Sequence, residues 1–87
     1  MIISFRKKFV KQFEKLRKEE QERVNKALEL FNENPFAPKL RNHTLVGKYD
    51  KIRSISAGGD IRLHYYENDD KITIIFIEIG THSQLYK

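Results

Sequence analysis

The chain has 87 residues, with 17 Lys and Arg against 12 Asp and Glu, and no cysteine. That length allows one modest core with little room for a second site, so residues 1–87 read as a single domain. The lack of cysteine excludes disulfides, thiolate nucleophiles and sulfur metal sites, and it suits a reducing, cytoplasmic setting.

The N-terminus, MIISFRKKF, has only a short apolar start before its charges, too short for a signal peptide or a membrane span. The formal net charge of +5 is unevenly spread. Residues 1–18 carry seven Lys or Arg against Glu14 alone, residues 19–34 carry five Glu against Arg23 and Lys26, and residues 35–66 are basic again. Blocks of one sign point to a basic surface, for which nucleic acid is the usual partner.

Ile2–Phe5 reads as a first strand. Phe9, Phe13 and Leu16 then fall on one face of a helix, with cations on the other. The face pattern restarts with Val24, Ala27, Leu28 and Phe31, so a second helix is expected over about 19–33, its early glutamates favouring the helix dipole. Asn34-Pro35 should end it, with Asn in the left-handed cap position. Residues 35–51 show little periodicity and read as a long loop. Three strands follow: Ile52–Ala57, a Gly58-Gly59 turn, Asp60–Glu67, a second turn, and Lys71–Ile79. The last is apolar on both faces, as a central strand covered on both sides would be. The expected fold is α+β, with an N-terminal strand and a helical hairpin packed on a mainly antiparallel four-stranded sheet.

The last strand runs into Gly80-Thr81-His82-Ser83, read as a turn that carries a titratable group to the strand's far end. His82 is either a capping residue or a site residue. His43 lies in the polar loop, where it is either solvated or functional, and His64 sits mid-strand and reads as structural. Three separated histidines lack metal-ligand spacing, so neither a metal nor another cofactor is expected. Arg62 either pairs with Asp60 or binds phosphate, for which a planar fork of donors is suited. Arg53 lies on the neighbouring strand, and Lys48 and Lys51 flank that strand's start. A cationic sheet face with histidines at its rim would suit an RNA phosphodiester, where cleavage needs a base for the ribose 2′-OH, an acid for the leaving oxygen and cations for the dianionic transition state.

Three stretches carry a family resemblance. These are His43-x-Leu45-x-Gly47, Arg53…Asp60-x-Arg62-Leu63 followed by Tyr65, and Ile79-Gly80-Thr81-His82-Ser83-x-Leu85-Tyr86. With the order of elements, they make the chain resemble the RelE/ParE toxin superfamily, and within it the YafQ-like branch of toxin–antitoxin systems. The resemblance implies a RelE-like fold and a metal-independent mRNA interferase that enters the ribosomal A site, cuts mRNA by 2′-OH attack and is neutralised by a cognate antitoxin. Carried over by position, His43, Asp60 and His82 match catalytic residues of that branch, Tyr86 its C-terminal aromatic and Arg62 a phosphate-stabilising arginine. Arg53 falls near basic strand residues. The chain departs from the pattern of the branch at Ser56, where the branch has a further histidine, and at Ile61, where it has tryptophan, and from RelE at Ile55, which stands in place of a strand lysine. A gyrase-poisoning toxin of the same fold, a catalytically degenerate toxin and a plain RNA-binding module are the competing readings.

Overall fold

A computed structural model of the chain describes residues 1–45 and 51–85. The elements are β1 (Ile2–Phe5), α1 (Lys7–Glu14), α2 (Lys18–Glu33), a 3-10 turn (Pro38–Leu40), β2 (His43–Thr44), β3 (Arg53–Ser56), β4 (Ile61–Glu67), β5 (Thr73–Thr81) and α3 (His82–Leu85). They form an α+β fold around a five-stranded mixed sheet ordered β1-β5-β4-β3-β2. β1 runs parallel to β5, and the other pairs are antiparallel. The expected four strands become five because His43 and Thr44, inside the presumed loop, pair with Ser54 and Arg53. Two residues are too few to show a period.

The helix boundaries shift for local reasons. α1 stops at Glu14 rather than Leu16, and α2 starts at Lys18, where Glu20 Oε1 accepts the Arg17 backbone N–H at 3.0 Å. Asn34 is extended (φ −154°), not left-handed; its Oδ1 accepts the Phe36 N–H at 3.1 Å and so turns the chain over Pro35.

Phe76 of β5 is the packing centre. Phe31 of α2 meets it edge-on at 5.2 Å between ring centroids and meets Tyr65 at 4.9 Å, while Phe9 of α1 lies 5.7 Å away. β1 covers only the first part of β5; beyond it, α1 takes over the edge, and Gln12 Oε1 accepts the Ile79 N–H at 2.7 Å. β5 also carries one residue more than β4. His64 pairs with Glu78 but Tyr65 pairs with Phe76, which leaves Ile77 as the bulge. Phe76 and Ile79 thereby share the helix-covered face, and Glu78 and Gly80 share the opposite one. That opposite face is less covered than expected, with Ile75 and Ile77 only half-buried.

Candidate active site

The end of that second face is concave. Arg41, His43, Ser56, Arg62 and His82 line a pocket of about 290 Å3. Strand alternation puts Ser56 and Arg62 here, because they pair across the β3–β4 hairpin and point away from the core residues Ile55, Ile61 and Leu63.

Each side chain is held by its own local device. Thr81 and Gln84 form a reciprocal cap: Gln84 Oε1 accepts the Thr81 N–H at 2.9 Å, and Thr81 Oγ1 accepts the Gln84 N–H at 3.2 Å. So in place of the expected turn, strand β5 passes directly into α3, whose first residue is His82. The His82 N–H donates to the Asp60 carbonyl at 3.1 Å. Gly80 permits α3 to fold back, since a Cβ there would stand 3.0 Å from the Leu85 side chain. On the other wall, Asn42 clamps the loop. Its Nδ2 donates to Pro35 O (2.9 Å) and to the Tyr65 hydroxyl (2.8 Å), and its Oδ1 accepts from Arg53 Nε (2.8 Å). Arg41, just before it, is left-handed (φ 51°, ψ 43°), a conformation that strains a non-glycine residue by about 1–2 kcal/mol. The Arg41 carbonyl accepts a 2.8 Å bond from His43 Nδ1. A carbonyl can only accept, so Nδ1 carries the proton, and a neutral His43 presents Nε2 as a base. Arg62 is anchored through Nη1 alone, to Gly59 O (2.9 Å), Ile61 O (3.0 Å) and Ser56 Oγ (3.3 Å). Its Nε and Nη2 make no hydrogen bond among the described residues.

Of the expected site residues, the structure gathers His43, Arg62 and His82. Asp60 is exposed and contributes its backbone carbonyl, and its side chain neither lines the pocket nor pairs with Arg62. Arg53 is turned to the core side of the sheet beside Tyr65, with its guanidinium 5.2 Å over the Phe36 ring. Lys51 is exposed before the start of β3, at the opposite end of that strand from Ser56. Lys48 and Tyr86 lie outside the described residues. Ile55 and Ile61, two of the departures from the family pattern, are 0% and 4% exposed, so they are core residues and offer nothing to the pocket. Arg41 was not singled out by the sequence, although Arg41-Asn42-His43 places it next to a candidate.

Behind the pocket a polar row crosses the sheet. His43 pairs with Ser54, Ser54 with His64 and His64 with Glu78. His64 is 2% exposed, and its Nδ1 donates to Glu78 Oε2 at 3.1 Å; Lys8 closes the row at 3.0 Å from Glu78 Oε1. Burial holds the His64 imidazole below its ordinary range, against the pull of Glu78 and with some help from nearby His43. Burial pushes the Glu78 carboxyl up, but its bonds to Lys8 and His64 outweigh this and leave it below its ordinary range. Both groups therefore bind protons more readily in the unfolded chain, so stability rises with pH across each window. Thermal melts should show stability falling below pH about 6.5, as unfolded His64 protonates, and again near pH about 4.3 for Glu78. His64→Gln, which can still donate to Glu78, is expected to flatten the upper stretch only; an unchanged profile between pH 5 and 7 would contradict this assignment.

The pocket holds two imidazoles, two guanidiniums and a hydroxyl, a set suited to moving protons around a bound anion. A search of curated protein sequences finds no match. The family described as the bacterial toxin of type II toxin-antitoxin system, YafQ, matches residues 1–87. The chain belongs to the YafQ family of type II toxins. Solved structures agree with this on the fold. YafQ from E. coli BL21(DE3) superposes with a TM-score of 0.80 at 20% identity, covering 98% of this chain and 97% of that one. YafQ in the E. coli DinJ-YafQ toxin–antitoxin complex gives 0.78 at 21% identity, covering 98% and 96%. The archaeal RelE-RelB complex from Pyrococcus horikoshii gives 0.75 at 19% identity, covering 95% and 96%. In this YafQ-family toxin the resemblance read from the GTHS ending meets its structural reason. The ending combines a strand, a helix cap and a glycine-made contact, which together fix one histidine.

Proposed function

We propose that this single-domain toxin is an mRNA endoribonuclease that works on translating ribosomes and cuts by 2′-OH attack. The observation that carries the reading is that His43 and His82 line one pocket with Arg62. His43 Nε2 takes the proton from the ribose 2′-OH. The O2′ atom bonds to phosphorus, the bond from phosphorus to O5′ breaks, and His82 gives its proton to O5′. The products are a 2′,3′-cyclic phosphate and a 5′-OH. Arg62 and Arg41 balance the charge that builds on the phosphoryl oxygens. The substrate is mRNA in the ribosomal A site, and the setting is the cytoplasm; among the described residues no helix is long and apolar enough to cross a membrane. A cognate antitoxin is the natural protein partner, as in the DinJ-YafQ and RelE-RelB complexes.

Primer extension on a translated mRNA after induction tests the reading. Wild type is expected to leave discrete cuts within codons, and His82→Ala none. Arrest of replication with intact mRNA would identify a gyrase-type poison instead.

A further inference from the structure

A second, larger concavity of about 480 Å3 opens beside the pocket, where α2, the 3-10 turn and the β3–β4 turn meet. Among the described residues five cations line it: Arg23 and Lys26 from α2, Lys39 and Arg41 from the 3-10 turn and its cap, and Arg62 from β4. No acid is among its described lining residues. Glu19 stands 4.0 Å from Arg23 along the helix. Arg23, Lys26, Lys39 and Arg41 are all exposed, while the floor is aliphatic, from Leu30, Leu40 and Ala57.

Two features make this more than a scatter of surface charge. First, the groove is continuous with the pocket, since Arg41, Ser56 and Arg62 line both. Second, the β3–β4 turn is shaped to bring Arg23 over it. Gly58 and Gly59 are both left-handed (φ 89° and 52°), and a Cβ on Gly58 would come within 3.3 Å of Arg23 Cδ. That places the α2 guanidinium over the same hairpin that carries Arg62.

We infer that this groove holds the phosphate backbone of the single-stranded RNA flanking the scissile bond, an inference that rests on the endoribonuclease reading. Cations from three separate elements track a chain of phosphates that passes through Arg62 and Arg41 into the cleavage pocket. Among the described residues the groove's lining carries no aromatic ring on which bases could stack, so these residues bind through charge and are indifferent to sequence. An acidic peptide is the competing occupant of such a groove.

The test uses 2′-O-methyl RNA, which lacks the nucleophile, with binding followed by anisotropy between about 50 and 200 mM salt. The variant is Arg23→Gln/Lys26→Gln/Lys39→Gln, which touches none of the five pocket residues. Each single-strand phosphate contact contributes about 0.7 to the slope of log K against log salt, so three lost contacts should flatten it by about 2 and weaken binding about a hundredfold at 0.1 M salt. If the triple variant, folded by circular dichroism, binds with wild-type affinity and slope, the groove assignment is overturned. If it binds RNA normally but loses capture of its antitoxin, the groove is a peptide surface and the assignment is equally overturned. If wild type itself fails to bind RNA and leaves translated mRNA uncut, the endoribonuclease reading falls as well; wild-type cuts absent in His82→Ala keep that reading whatever the groove does.

Discussion

His82→Ala is expected to slow mRNA cleavage by about 10²- to 10⁴-fold, the usual contribution of a positioned general acid or base, with the melting temperature almost unchanged. The two halves of that expectation come from different atoms. The backbone of His82 is structural: its N–H donates to Asp60 O, and it starts the helix capped by Thr81 and Gln84. Alanine keeps all of these bonds. The imidazole is exposed and lines the pocket, so its loss removes chemistry and little packing. A pH profile of kcat/KM separates the roles of the two histidines. A general acid must enter the reaction protonated and a base unprotonated, so His82→Ala should abolish the alkaline limb and His43→Ala the acidic one. Gly80→Ala supplies a positional control. Its Cβ would stand 3.0 Å from Leu85 and push α3 away, which should slow cleavage with both imidazoles still present. Retention of more than about a tenth of wild-type cleavage by a folded His82→Ala protein would remove His82 from proton transfer.

The sequence makes some of this site legible and hides the rest for identifiable reasons. Gly58-Gly59 marks a hairpin, but counting outward from a two-residue turn pairs Ser56 with Ile61; the loop takes in Asp60 as well, and that one-residue shift is what pairs Ser56 with Arg62. The same shift explains why the expected cationic sheet face does not form. Arg53 has the parity of Ile55, which is buried on the helix side, and so cannot share a face with Arg62. Thr81-x-x-Gln84 is a legible cap signal, so the helix after β5 was open to reading where a turn was expected. Other features depend on tertiary pairing. β2 is two residues long and exists only because β3 is there to pair with it. The bulge at Ile77 puts Glu78 on the face of His64, and one inserted residue leaves no trace in a uniformly apolar run. The left-handed Arg41 is hidden too, because nothing in Leu40-Arg41-Asn42 signals a positive φ.

Arg62→Ala should lower kcat/KM for cleavage by about 10²- to 10³-fold, the scale set by removing one preorganised donor from a charged transition state. The geometry argues for a role specific to that state. Nη1 is committed to Gly59 O, Ile61 O and Ser56 Oγ, which fixes the plane of the guanidinium from one corner. Nε and Nη2 are then left as a pair of donors on one edge of the guanidinium, the geometry that suits two oxygens of one phosphoryl group. The acceptors released by truncation are at or near solvent, so water can replace the lost bonds and the melting temperature should shift by only a few degrees. Arg62→Lys is the decisive comparison. Lysine keeps the charge but has no planar fork, and an ammonium drawn toward Gly59 O and Ile61 O cannot also span two phosphoryl oxygens. It should recover RNA binding far better than cleavage, placing the loss in kcat. Equal recovery of both would mean that Arg62 supplies charge alone, with no part for the anchored fork.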